Sequence, residues 1–127
     1  MKLDKNTYQS LLAKAKENPR LRFAMDLRTT PEDKSQRMLN ALIPGTEVPI
    51  HRHINTSETA VILYGHIDEI FYDEEGNELE RHSLHCGEGL QIPSGCFHSI
   101  NVYEPTILLE VKDGAYSPIL PEDIITQ

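Results

Sequence analysis

Short runs of alternating apolar and polar residues, each closed by glycine, proline or a polar turn, fill the middle and later parts of the chain. This spacing is typical of an antiparallel β-sandwich or barrel, because short strands must reverse at turn residues to pair with their neighbours. A hairpin is predicted at Glu75-Gly76-Asn77. Eight strands are expected, over residues 36–43, 47–53, 58–64, 66–72, 79–85, 90–93, 97–103 and 106–112.

The N-terminal stretch has a different period, which predicts a short helix. Its apolar residues Tyr8, Leu11, Leu12 and Ala15 recur at helical spacing. Asp4, Asn6 or Thr7 could cap the helix, and Pro19 should end it.

Domain organisation follows from what lies between and beyond these elements. No repeat or linker interrupts the chain, so we expect an N-terminal helical segment over residues 1–20 and a single domain over residues 21–127. The final stretch, residues 116–127, carries two prolines and is expected to wrap around the outside as coil.

Composition and charge narrow the class of partner. Of the 127 residues, 39% are hydrophobic and 25% are charged, which is ordinary for a folded soluble protein, and the net charge is -8. An acidic chain is a poor partner for nucleic acid or an anionic membrane surface. No signal-peptide or membrane-spanning segment is recognisable. We therefore expect a cytoplasmic protein with free thiols at Cys86 and Cys96, although one bridge between them stays open.

Two histidines and a carboxylate raise the main chemical question. His51 and His53 are two apart on a predicted strand, so both should face the same side, with Arg52 facing outward. A hairpin would bring Glu58 back beside them, and His98 is a further candidate. Three imidazoles and a carboxylate suit divalent iron, manganese, zinc, nickel or cobalt. On an octahedral ion they would leave two positions for water, dioxygen or a substrate. The simpler alternative is a pair of surface histidines.

The residues around these candidates match two longer patterns. Residues 45–65, GTEVPIHRHINTSETAVILYG, resemble the first motif of the cupin superfamily with every spacing matched. Residues 87–101, GEGLQIPSGCFHSIN, are similar to the second motif, except that Asn101 comes one position early. The resemblance implies an all-β cupin double-stranded β-helix, or jelly-roll barrel, with a short N-terminal α-helix. It also implies that His51, His53, Glu58 and His98 are the metal ligands.

A closer resemblance is to the WbuC family of small cupin-fold metalloproteins, found among bacterial surface-polysaccharide genes. The matching stretches are QRMLNALIPGTEVPIHRH, FYDEEGNE and LLEVKDGAYSP. This resemblance implies a metal-dependent enzyme acting on a small anionic or sugar-derived substrate, and it leaves both isomerase and oxygenase chemistry open. By analogy with small cupins, we also expect a homodimer. The alternative is a non-catalytic module that senses or stores a ligand.

Further candidates surround this proposed site. Tyr64 and Gln91 are expected to line a substrate pocket, and Gln91 or Asn40 could accept a hydrogen bond from a ligating histidine. Four arginines, Arg20, Arg22, Arg28 and Arg37, could bind an anionic substrate, with Arg37 the pocket candidate; salt bridging to the surplus acids is the alternative. Cys96 could lie near the metal or fill the core. His66, His82 and His85 are expected to be solvated or hydrogen-bonded.

Overall fold

Turn residues divide the chain into one helix and ten short strands in the computed structural model, which describes residues 1–126. Helix α1 spans Lys5–Glu17. The strands are β1 (Arg22–Asp26), β2 (Ser35–Leu42), β3 (Ile50–His51), β4 (Glu58–Tyr64), β5 (His66–Tyr72), β6 (Glu78–His85), β7 (Gly89–Ile92), β8 (Phe97–Val102), β9 (Thr106–Asp113) and β10 (Ile124–Ile125).

Helix α1 forms as its apolar spacing and cap predict. The Asp4 side chain accepts hydrogen bonds from the backbone N–H groups of Asn6 and Thr7, at 3.1 and 3.2 Å. The helix ends at Glu17, before Pro19. Its apolar face packs on the outside of one sheet, in a cluster of Leu11, Ala15, Leu39, Ala41 and Ile107. Among the described residues no helix is long and apolar enough to cross a membrane.

The strands form two antiparallel sheets of five. Sheet A has the order β1-β2-β9-β4-β7, and sheet B has the order β10-β3-β8-β5-β6. The predicted hairpin joins β5 to β6, where Gly76 has a φ of +84° and the Asp73 carboxylate accepts from the backbone N–H groups of Glu75 and Asn77. The hairpin prediction is confirmed.

Two strands were not expected from the sequence. β1 extends sheet A, and β10 pairs with β3, with Ile124 opposite His51. The prediction that residues 116–127 are coil is therefore wrong for residues 121–125, which form a 3₁₀ turn and then β10. Gln127, the last residue of that stretch, lies outside the described residues.

The space between the sheets changes from apolar to polar along β4 and β9. At one end lies a core of Leu42, Ala60, Ile62, Ile67, Leu84, Val102 and Leu108. Toward the other end the same inward faces carry polar residues. On β4 the sequence is Ile62, Ala60, Glu58, and on β9 it is Leu108, Glu110, Lys112, with Ala60 opposite Glu110 and Glu58 opposite Lys112. Packing of the apolar core thus holds the strands in place, and their polar residues at the other end come together at one site.

Candidate metal centre

Three histidines converge at the polar end of the space between the sheets. His51 ends β3 and lies directly opposite His98 on β8. The ring centroids are 4.4 Å apart for His51 and His98, 5.1 Å for His51 and His53, and 5.7 Å for His53 and His98. One ligating atom from each ring lies within 4.8 Å of the other two. His53 follows β3 rather than belonging to it, so strand alternation is not what brings it beside His51.

Glu58 reaches this cluster from the opposite sheet. It begins β4 of sheet A, whereas β3 belongs to sheet B, so no hairpin joins them and that part of the prediction is wrong. The Glu58 Oε2 atom lies 3.2 Å from His98 Nε2 and 3.7 Å from His53 Nε2. This oxygen is buried and has no hydrogen-bond partner among the described residues. A buried acceptor without a partner is costly, unless it faces a cation.

Backbone carbonyl groups orient two of the rings. His51 Nδ1 is 2.8 Å from the carbonyl oxygen of Pro49, and His98 Nδ1 is 3.0 Å from that of Cys96. A carbonyl oxygen only accepts, so each Nδ1 must carry the proton and each Nε2 keeps its lone pair. The acceptors expected from sequence, Gln91 or Asn40, do not have this role.

Burial keeps the three histidines neutral. Burial, and then repulsion from His98, lowers the pKa of His51 to about 4. Burial, followed by the charge of Lys112, lowers the pKa of His53 to about 3. Burial is also the largest cause that lowers the pKa of His98. Neutral imidazole is the form that binds a metal, because a protonated ring has no lone pair to donate.

These features together fit a divalent transition metal. One ring nitrogen from each of the three histidines lies close to the other two, and the Glu58 Oε2 atom lies near His53 and His98. A donor set of three nitrogens and one oxygen suits a borderline metal. Hydrogen bonds from the second ring nitrogen to backbone acceptors are the usual arrangement behind metal-bound histidines. The residues present therefore fit the metal that the sequence predicted.

The metal-free protein should lose stability contributed by His51 as the pH falls. Its pKa is depressed from 6.5 to about 4 on folding, so between these values the unfolded chain takes up a proton that the folded chain does not. From pH 7 to pH 5 the loss is on the order of 2 kcal/mol. We expect urea unfolding in the presence of a chelator to show this difference. Between pH 7 and pH 5 the unfolding free energy of wild type should fall by this amount relative to that of H51Q.

The comparison with H51Q is necessary because buried acids change the unfolding free energy with pH in the opposite direction to His51. Burial raises the pKa values of Glu69 and Glu110, so their protonation favours the folded state as the pH falls. Subtracting the two unfolding free energies at each pH removes this common contribution. A difference that stays constant from pH 7 to pH 5 would contradict a buried neutral His51.

An inner cavity of about 180 Å³ lies on the core side of the cluster. It is lined by His51, His98 and Glu58 together with two more buried acids, Glu69 and Glu110. Burial, and then the charge of Glu58, raises the pKa of each well above its ordinary value. The sequence did not single out either residue, although alternation with Ile67 and with Leu108 places both on inward faces.

An outer cavity of about 640 Å³ lies on the other side of the cluster. His51, His53, Lys112 and Gln36 line it from the barrel, and residues 113–120 cover it. We call residues 113–120 the C-terminal strap. The Gly114 carbonyl accepts from the side chain of Gln36, while Asp123, beyond the strap, pairs with Arg52 at 2.8 Å. Arg52 therefore contacts the C-terminal stretch instead of only facing solvent.

The three residues predicted to line a substrate pocket lie elsewhere. Tyr64 is at the far end of β4 from Glu58, in a small cleft against α1. Gln91 is opposite Thr59, which faces away from the barrel interior, and its amide donates to the Thr59 hydroxyl at 2.8 Å. Arg37 lies opposite Val111 on the outer face of sheet A and pairs with Asp33 at 3.1 Å. None of the three lines the inner or the outer cavity.

The other candidates have mostly structural partners. Among the four arginines, Arg28 pairs with Asp26 and Arg22 lines the inner cavity. Both cysteines, Cys86 and Cys96, are free thiols, as expected, so no bridge joins them. The remaining histidines are solvated or hydrogen-bonded, as predicted. His66 bonds to Ser83 and His82 to Glu80, whereas His85 is exposed and stacks on His66 with ring centroids 4.0 Å apart.

The fold of this chain is similar to that of several solved structures, among them a protein of the cupin superfamily. KdgF from Halomonas sp. has a TM-score of 0.60 and 18% identity, over 80% of this chain and 84% of that one. A cupin superfamily protein from Desulfitobacterium hafniense has a TM-score of 0.60 and 20% identity, over 72% and 76%. The chain is therefore an all-β cupin jelly roll with a short N-terminal helix, as the motif resemblance predicted.

A third similarity is to a larger enzyme. Oxalate decarboxylase from Bacillus subtilis has a TM-score of 0.60 and 26% identity over 76% of this chain, which spans 25% of that protein's length. A structure of the same enzyme, from work on its Mn(II) centres, has a TM-score of 0.61 and 25% identity over 76% of this chain and 26% of that one. The chain thus corresponds to about a quarter of that enzyme.

The family follows from sequence. The model of the family described as Domain of unknown function (DUF6016) matches residues 3–84, which are 82 of the 127 residues, and the chain belongs to this family. No curated protein matches the chain in sequence. The WbuC resemblance is not identified by these comparisons and stays a prediction.

Proposed function

We propose that this cupin is a metal-dependent enzyme that acts on a small anionic or sugar-derived substrate. His51, His53, Glu58 and His98 would hold a divalent iron, manganese, zinc, nickel or cobalt ion. The Mn(II) centres of the similar oxalate decarboxylase support a metal in this fold. A metal bound here would supply a Lewis acid that polarises a substrate oxygen.

The observation that carries the catalytic proposal is the pair of buried acids beside the cluster. Turnover requires a group that can move a proton near the metal, and Glu58 is a poor base once it is a ligand. Glu69 and Glu110 line the same inner cavity as His51 and His98. Burial raises the pKa values of both acids, and strongly perturbed titratable groups in a cavity are typical of catalytic sites. A module that only binds a ligand needs no such groups.

The finer setting is part of the same proposal. The WbuC resemblance supports a cytoplasmic role in bacterial surface-polysaccharide metabolism, with isomerase or oxygenase chemistry. By analogy with small cupins, we also propose a homodimer formed through outer strands and a single cupin domain over residues 21–127.

The catalytic proposal is tested with metal-loaded protein and a panel of sugar acids. Proton NMR in D₂O detects exchange of a C–H proton next to a carbonyl group, and an oxygen electrode detects oxygenase turnover. We expect wild type to turn over at least one member of the panel, and E69Q to lower kcat by roughly 10²- to 10⁴-fold with unchanged metal content. E80Q, an exposed acid on the neighbouring strand β6, is the matched control.

The alternative function gives a different result. A sensing or storage module would bind a sugar acid without exchange, oxygen uptake or product, and E69Q would then leave no rate to lower. Binding without any turnover across the panel would therefore favour the non-catalytic reading.

A further inference from the structure

The two cations of the outer cavity differ in their partners. The chain carries a net charge of -8, and two cations, Arg52 and Lys112, line this cavity. Arg52 pairs with Asp123 at 2.8 Å and lies over the Phe97 ring, 4.7 Å from the ring centroid. Lys112 also lines this cavity, beside His51 and His53. Within the described residues Lys112 has no salt bridge.

Lys112 is held in place by the register of sheet A. It lies on β9 directly opposite Glu58 of β4 on one side and Gln36 of β2 on the other. Residues directly opposite in antiparallel strands share a face, with Cβ atoms about 5 Å apart. Because Glu58 points at the histidine cluster, Lys112 stands on the same side, one strand away from a proposed metal ligand.

The electrostatics of the cluster agree with this position. The charge of Lys112 is among the causes that lower the pKa values of His51, His53 and His98. It also acts to lower the pKa of Glu110. These effects agree with the strand register, which places Lys112 on the same face of sheet A as Glu58.

A half-buried ammonium without an ion pair is a binding group for an anion. It gives up part of its hydration in the cavity, and a ligand carboxylate restores that interaction with a charge-assisted hydrogen bond. A single lysine suits a monoanion. The nearby carboxylate of Glu58 would repel the second charge of a phosphate dianion.

We infer that Lys112 binds the carboxylate of a 2-keto or 2-hydroxy sugar acid, whose adjacent oxygen then reaches the histidine cluster. This inference rests on the proposed function, because it names the substrate class of the same site. Lys112 lines the outer cavity itself, whereas only one of the four arginines that the sequence offered for anion binding, Arg22, lines either cavity, and that is the inner one.

The test compares two ligands that differ only at one carbon. 2-Keto-D-gluconate carries a carboxylate where D-fructose carries a hydroxymethyl group. In calorimetric titrations of metal-loaded protein, we expect wild type to bind the acid roughly 10- to 100-fold more tightly than fructose. K112Q should lose that preference with its metal content unchanged. K112R should keep most of it, and K16Q, on the exposed side of α1, should match wild type.

The outcomes separate this inference from the proposed function. Equal binding of the acid by wild type and K112Q would overturn the role of Lys112 even if metal is bound. The same holds if wild type does not prefer the acid to fructose. If the protein holds no metal, the proposed function fails, and an NMR titration of the metal-free protein then tests Lys112 alone. A preference for the acid that K112Q removes would support the role of Lys112. The same titration in wild type and K112Q would overturn that role.

Discussion

Untagged wild-type protein should carry close to one equivalent of a divalent transition metal, and H51A/H98A should carry none. His51 and His98 lie opposite each other with ring centroids 4.4 Å apart, so the double substitution removes two of the four proposed donors. A site with one imidazole and one carboxylate is weak and open to water. Elemental analysis, before and after anaerobic reconstitution, measures the difference.

The matched control removes two histidines from elsewhere. His66 and His85 are also neighbours on paired strands, with ring centroids 4.0 Å apart, but they stack far along β5 from the cluster. H66A/H85A should therefore keep its metal. A tag-free protein is essential, because a histidine tag collects nickel or zinc by itself. Metal in wild type that never exceeds the level in H51A/H98A, even after reconstitution, would contradict the metal centre.

Metal binding should also appear as stability. A ligand that binds only the folded state at 1,000 times its Kd adds about 4 kcal/mol to the free energy of unfolding. For a domain of this size that corresponds to a rise in Tm of roughly 10 to 20 °C. Wild type and H66A/H85A should both show this rise when metal is added, whereas H51A/H98A should not. The identity of the metal that gives the largest rise would direct the choice of reaction assays.

The sequence predicted the elements that depend on local pattern. Turn residues and alternation located eight strands and the hairpin. Pro19 bounded the helix at its end, and the structure selects Asp4 among the three predicted caps. β1 and β10 were missed for different reasons. The ends of β1 are charged, at Arg22 and Asp26, which hides its alternation, and β10 has only two residues, which carry no period at all. A strand this short forms only through its pairing with β3.

The candidate site shows where strand alternation fails as a guide to side-chain direction. Alternation from Glu58 places Tyr64 on the inward face, but the pairing of β4 with β9 shifts register between Ile62 and Tyr64. An irregularity of this kind turns the following side chain away from its expected face. Tyr64 therefore contacts the helix side of the sheet. No local pattern in the sequence marks that shift.

The buried acids illustrate the converse problem. Glu69 and Glu110 occupy positions that alternation assigns to the interior, and an acid at an interior position is itself a signal of function. Neither is in a cupin motif, so the motif comparison alone directs attention away from them. Only the packing of sheet A against sheet B shows that both reach the inner cavity with His51. The four proposed ligands, by contrast, all lie in the two motifs.

The largest expected loss of stability comes from G65A, in the turn between β4 and β5. Gly65 has a φ of +96°, which favours glycine. In addition, a Cβ atom at this position would overlap the carbonyl oxygen of Pro105 and the Thr106 hydroxyl, and it would lie 2.7 Å from Thr106 Cα. Thr106 is fully buried and its hydroxyl accepts from the His66 backbone N–H. Because these are mostly backbone atoms in paired strands, they cannot move aside cheaply.

G87A separates the two causes of this loss. Gly87 has a similar φ of +88°, but an added Cβ there meets nothing within 4 Å. Its substitution should cost about 1 to 2 kcal/mol of unfolding free energy from backbone conformation alone. G65A should cost at least about 3 kcal/mol in urea unfolding, or fail to fold. Equal losses would show that conformation, not the close approach of residues 105 and 106, explains the glycine. Gly65 belongs to the same cupin motif as His51, yet it lies at the far end of β4 from Glu58, so G65A that does fold should still bind metal.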